Sequence, residues 1–152
     1  MKRILGSYIG LMGLAAVLFL GLNCQRESRP LDSDGFLNST TSAASIAAET
    51  GKDVFVHVGA DWCKPCRVLH REIYPKANVQ EALGGYIKLE LDMDKLTEED
   101  VEIIRLLNVQ SIPMIAVLKS DLRTVVRKPT VAKASEQWVL NYLAVSQPSQ
   151  SK

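Results

Sequence analysis

Apolar positions are distributed along this chain in two ways. After Lys2 and Arg3, the stretch from Ile4 to Leu22 carries no charge and is apolar on every helical face. That length is about what a helix needs to span a membrane, roughly 20 residues. From Gln25 to Asn38 there is no apolar period, and Arg26, Pro30, Asp32 and Gly35 mark a flexible tether. From Ser39 the pattern becomes that of a folded domain. Ser42 to Thr50 is alanine-rich and stops at Gly51, which predicts a short helix. Val54 to Val58, apolar except for His57, predicts a buried strand. A helix is expected from Arg67 to Tyr74, ended by Pro75, then a helical turn over 78–83 closed by Gly84 and Gly85. Tyr86 to Leu91 reads as a second strand. Thr97 and Asp100 have the spacing of a capping pair, opening a helix to about Asn108 that buries Val101, Ile104 and Leu107. Met114 to Leu118 and Arg123 to Arg127 read as strands joined at Ser120–Asp121. Ser135 then caps a final helix with Val139, Tyr142 and Leu143 on one face.

The order α-β-α-β-α-β-β-α predicts an α/β fold, with parallel pairing across helices and an antiparallel hairpin near the end. The expected organisation is a signal or anchor segment at 1–23, a tether at 24–38, one domain at 39–147 and a polar tail at 148–152. Charge adds little to this picture. Lysine and arginine total 18 against 17 acidic residues, and no basic stripe stands out, so no nucleic-acid partner is expected. Aromatics make up 6%, too few for a base-stacking platform.

The three cysteines change the picture more. A small secreted disulfide scaffold would carry a larger, even number. Cys24 instead closes the apolar segment. A short basic head followed by an apolar run reads as an export signal. Leu20-Gly21-Leu22-Asn23-Cys24 resembles a bacterial lipoprotein signal, cut before a cysteine that then receives lipid. Lipidation at Cys24 and an uncleaved membrane anchor both remain open.

Cys63 and Cys66 stand two residues apart in Trp62-Cys63-Lys64-Pro65-Cys66, between a predicted strand and a predicted helix. Such spacing lets two sulfurs join and part with little backbone movement. A free thiol with a pKa of about 8.5 is only a few per cent thiolate at pH 7. A helix N-terminus favours the anion, so Cys63 is the expected nucleophile. Cys66, one turn inside and expected to be less exposed, would resolve the mixed disulfide. A structural disulfide closing so short a loop would constrain the unfolded chain little. A four-cysteine zinc site has no second cysteine pair to complete it.

With these motifs, residues 42–145 resemble the thioredoxin-fold family. Within it they resemble the thioredoxin-like domain of bacterial thiol:disulfide interchange proteins and small exported thioredoxin-like lipoproteins. The resemblance rests on Trp62, Lys64 and Pro65 around the cysteines, on Leu107-Asn108-Val109, and on Ser111-Ile112-Pro113 before a strand. It implies a central mixed sheet flanked by helices, and a cis peptide bond before Pro113 beside the cysteines. It also implies that the Ile112 backbone pairs with an extended substrate strand. The glycine that relatives carry after the last strand is replaced here by Lys128-Pro129-Thr130.

In relatives an acid stands six residues before the first cysteine, and in interchange proteins another stands seven after it. His57 and His70 occupy those positions here. They are expected to make Cys63 more acidic than acids at those positions would, and to add a titration between about pH 5 and 8. The implied function is a protein-disulfide reductase with no cofactor beyond its redox-active disulfide. It would face the periplasm or exterior of a bacterium, held to the membrane by lipid or anchor. Its partners would be disulfide-bearing proteins and a membrane electron donor. Alternatives are a metal-binding or chaperone module using Cys63, Cys66, His57 and His70, or a thiol reductase of cytochrome c maturation.

Overall fold

A computed structural model describes residues 35–144. The segment 1–23, Cys24 with most of the tether, residues 145–147 and the 148–152 tail lie outside the described residues. The elements in order are α1 (Thr40–Thr50), β1 (Val54–Gly59), α2 (Lys64–Val68), a π-helical turn (Leu69–Ile73), α3 (Ala77–Leu83), β2 (Ile87–Asp92), α4 (Glu98–Leu106), β3 (Met114–Leu118), β4 (Val125–Val131) and α5 (Glu136–Ala144).

The strands form one mixed sheet in the order β2-β1-β3-β4. β1 pairs parallel to β2 and antiparallel to β3, and β3 pairs antiparallel to β4. β1 is therefore central and buried along its whole length, which is why its sequence is almost unbroken apolar. Parallel pairing across helices holds for β1 and β2 but not for β3. After α4, residues 107–112 return the chain to the end of the sheet where β2 finished. β3 therefore starts beside the C-terminal end of β1, with Met114 opposite Val58.

The alternation along β1 divides the molecule into two cores. Val54, Val56 and Val58 pack under α1 and α4 with Leu89 and Leu91. Phe55 faces the opposite side, where Leu69, Ile73 and Tyr74 cover it, and His57 follows Phe55 by the same period. Each large side chain buried in this way contributes about 1.5–3 kcal/mol. Local signals set the helix ends. Ser39 accepts from the Ser42 N–H at 3.3 Å, and Gly51 ends α1 at φ +68°. Thr97 and Asp100 form the expected reciprocal capping box of α4.

Three boundaries differ from the sequence expectation. Residues 35–38 belong to the folded body: Phe36 is fully buried, and Leu37 exchanges backbone hydrogen bonds of 2.9 Å with Lys88 and Glu90. Two residues are too short a run to show a period. β4 continues past Arg127 through Lys128-Pro129-Thr130. An edge strand with an irregular register tolerates a proline that an interior strand would not. The helix after the cysteines starts at Lys64 rather than Arg67, and widens at residue 69. There the Tyr74 N–H donates to the Leu69 carbonyl at 2.8 Å, five residues back. Among the described residues, no helix is long and apolar enough to cross a membrane.

Candidate active site

β1 delivers the chain to the cysteines and α2 holds them. The Cys63 N–H donates to the Ala60 carbonyl at 3.0 Å, closing a turn after the strand. Cys63 is the N-cap of α2, and its Sγ accepts from the Cys66 N–H at 3.3 Å. An N–H aimed at that sulfur favours negative charge on it. Pro65 sits in the first turn of α2, where its missing N–H leaves no bond unmade. Arg67 pins the approach loop from outside by donating to the Asp61 carbonyl at 2.7 Å.

Cys63 and Cys66 are joined as a disulfide with Cα atoms 5.3 Å apart. Both are almost fully buried, at 4% and 3% exposure, so exposure does not separate them as the sequence reading expected. Their environments do. Cys63 stands at the helix start, whereas Cys66 Sγ faces into the fold toward Gly59. Ile112 packs against Ala60, Cys63 and Cys66. The Ile112–Pro113 peptide bond is cis, and β3 begins at the next residue. Trp62 is 67% exposed beside the disulfide, and its indole Nε1 donates to Asp94 at 3.3 Å. Lys64 is exposed at the helix start. Nearby, Lys95 bridges Asp92 at 2.7 Å and Asp61 at 3.4 Å.

Behind the disulfide lies a second constellation. A Cβ built on Gly59 would stand 2.8 Å from His57 Nε2 and 3.3 Å from Cys66 Sγ. The absence of a side chain at Gly59 is thus what lets the His57 ring approach the second sulfur. His57 is fully buried, and its Nδ1 shares a 2.7 Å hydrogen bond with the Tyr74 hydroxyl. Burial, and then the neighbouring His70, hold its pKa well below the ordinary histidine value of 6.5. His57 is accordingly neutral at pH 7. Its titration is thus shifted below that of an ordinary histidine. The His70 ring lies 4.7 Å from the His57 ring, with Nε2 3.4 Å from Glu90 Oε1. Phe36 and Tyr74 wall off this cluster, each ring 5.1 Å from His70.

A family model described as thioredoxin-like matches residues 36–120. The chain belongs to the thioredoxin-like family. Among curated relatives, the thiol:disulfide interchange protein DsbD of Vibrio cholerae is 28% identical over 107 residues, covering 70% of this chain and 18% of the relative. DsbD of Cronobacter sakazakii is 32% identical over 71 residues, covering 47% of this chain and 12% of the relative. The chain thus spans less than a fifth of the length of these relatives. Among solved structures, the oxidised C-terminal domain of Neisseria meningitidis DsbD matches with a TM-score of 0.57 and 15% identity, over 74% of this chain and 99% of that one. A disulphide isomerase from Xylella fastidiosa matches with a TM-score of 0.55 and 23% identity, over 69% and 86%. Both likenesses concern the thioredoxin fold.

Of the residues singled out in the sequence, Cys63, Cys66, Ile112 and Pro113 come together at one end of the sheet of this thioredoxin-like domain. Trp62, Lys64 and Pro65 surround them. His57 and His70 meet one layer deeper, and Cys24 lies outside the described residues. Gly59, Tyr74, Phe36 and Glu90 were missed. Glu90 had a signal: it stands between Leu89 and Leu91 in a strand, which assigns it to the opposite face, and β2 register places it beside His57.

Proposed function

We propose that this chain is a thiol–disulfide oxidoreductase that reduces disulfides in proteins outside the cytoplasmic membrane. The observation that carries the reading is the Cys63–Cys66 disulfide at the start of α2, with Ile112–Pro113 packed beside it. In the reduced state the Cys63 thiolate attacks one sulfur of a substrate disulfide. The substrate S–S bond breaks, and its other sulfur leaves as a thiolate and takes a proton. Cys66 then attacks Cys63 Sγ, releasing the second substrate thiol and restoring the Cys63–Cys66 disulfide. Two electrons pass from the dithiol to the substrate. Each further turnover needs a dithiol electron donor, which in an oxidising compartment must be supplied from the membrane.

His57 Nε2 and Cys66 Sγ both border the space that a Cβ at Gly59 would fill, and in the metal-free chain that neutral nitrogen would accept the Cys66 proton in passing. The exposed Trp62 ring and the Ile112 backbone, whose side chain packs against the cysteines, would receive an extended segment of the substrate. Relatives named for thiol:disulfide interchange support this activity. The apolar segment and Cys24 support export and attachment to a membrane, by lipid or by an uncleaved anchor.

The test is to present a disulfide-bearing protein to reduced Cys66→Ser and Cys63→Ser chains. Cys66→Ser is expected to accumulate a mixed disulfide at Cys63 and Cys63→Ser to accumulate none. Equal trapping by both variants rejects the assignment. For attachment, Cys24→Ala is expected to abolish lipid labelling and leave an uncut precursor. Unchanged mass and cleavage point to the anchor instead.

A further inference from the structure

With the sulfurs bonded to each other, the two histidines share no ligand cluster with them among the described residues. They share one with Glu90. One ligand atom each from His57, His70 and Glu90 fall within 4.8 Å of one another. We propose that these three residues form a binding site for one divalent transition-metal ion of the zinc class, separate from the cysteine pair. Two imidazoles and one carboxylate are a donor set that zinc accepts, with a water completing a tetrahedron.

Geometry argues for the site directly at two of the ligands, while the His57 ring, within 4.8 Å of both, would close toward them on binding. His70 Nε2 and Glu90 Oε1 are 3.4 Å apart, close to the edge of a tetrahedron whose metal bonds are about 2.1 Å long. His57 Nε2 is buried and has no hydrogen-bond partner. Leaving such a nitrogen unsatisfied costs about 1–3 kcal/mol, so an orphan here requires a reason. Its other nitrogen is engaged by the Tyr74 hydroxyl at 2.7 Å. With Nδ1–H donating to that oxygen, the Nε2 lone pair is left for a metal, the arrangement by which outer partners orient ligating histidines.

The scaffold is also suitable. His57 and Glu90 are register partners on adjacent strands, and His70 descends onto them from the π-helical turn. The side chains of His70 and Glu90 are 19% and 20% exposed and stand nearer to solvent than the fully buried His57. The proposal does not rest on the thiol–disulfide reading, since no sulfur takes part, but a metal on His57 Nε2 would occupy the lone pair that otherwise accepts the Cys66 proton, so the two uses exclude each other.

The experiment uses the full chain, freed of metal and with its disulfide intact. Cobalt(II) is titrated as a spectroscopic probe and then displaced with zinc(II). The expected result is one cobalt per chain, with the intense visible absorption of a tetrahedral ion and no sulfur charge-transfer band. Glu90→Gln and His70→Gln should each weaken binding by about tenfold or more. Tyr74→Phe, which leaves all three ligands in place, should weaken it by about 10–100-fold. Circular dichroism establishes that the variants are folded, and His70 and Glu90, less buried than His57, are the safest to change. Absence of tetrahedral cobalt absorption in the parent chain would overturn the proposal. So would equal affinity in folded Glu90→Gln and His70→Gln chains, or a sulfur charge-transfer band.

Discussion

Gly59 shows how much of the site depends on a missing atom. His57 is held by Tyr74 and Cys66 is held by the disulfide, so neither is free to retreat. A methyl group at 2.8 Å from His57 Nε2 is closer than packed atoms allow. Gly59→Ala is therefore expected to cost about 1–3 kcal/mol of stability, the usual range for overpacking a filled interior. It should also slow resolution by Cys66, because the His57 ring is pushed from the second sulfur. Urea unfolding and single-turnover reduction of a disulfide substrate read the two effects. Unchanged values in both would mean that the space beside Gly59 is not tight. The residue-scale contrast between the cysteines is similarly one of surroundings. Cys63 has an N–H aimed at its sulfur and Cys66 has a buried neutral imidazole nearby, although the two are equally hidden.

At the scale of elements, much was legible wherever one local rule decided the outcome. The unbroken apolar run of β1, the glycine stop of α1 and the Thr97–Asp100 box of α4 were all readable because each depends on residues a few positions apart. The strand–CxxC–helix junction was readable for the same reason. What was not legible depends on partners far away in sequence. Phe36 looked like part of a tether because its burial is supplied by Tyr74, Phe55 and the histidine rings. The π-helical turn follows from bringing Leu69, Ile73 and Tyr74 inward together, which no 3.6-residue period anticipates. β4 ran through Pro129 because it lies at the sheet edge, a fact of topology rather than composition. His57 and His70 were recognised by position. Their partner Glu90 emerged only once β2 was placed in register beside β1.

For the whole molecule, burying His57 couples folding to pH. In the folded chain burial, and then His70, keep its pKa well below 6.5, whereas the unfolded chain takes up the proton near that value. The unfolded state therefore binds more protons in this window. Stability is complete above about pH 6.5 and falls as pH drops toward the folded-state pKa. The slope from this one group is at most about 1.4 kcal/mol per pH unit. The groups facing His57 are His70, Tyr74 and Glu90, so the effect is isolated by comparison with His57→Gln, which cannot titrate. Carboxylates act lower. Asp121 is held below its ordinary 3.8 by the backbone N–H groups of Arg123 and Thr124, and Glu136 below 4.5 by Lys76. Urea unfolding from about pH 7.5 down to 5 is expected to give a steep slope in the parent chain and a flatter one in His57→Gln. Parallel slopes would mean that His57 does not carry the pH dependence.

Which sulfur attacks is open to direct measurement. The reduced chain is alkylated at pH 7 under limiting reagent, and the rate at each cysteine is read by peptide mass. The helix-start position and the N–H directed at its sulfur predict that Cys63 reacts first, with Cys66 following only slowly. A faster reaction at Cys66, or equal rates at the two, would contradict the account.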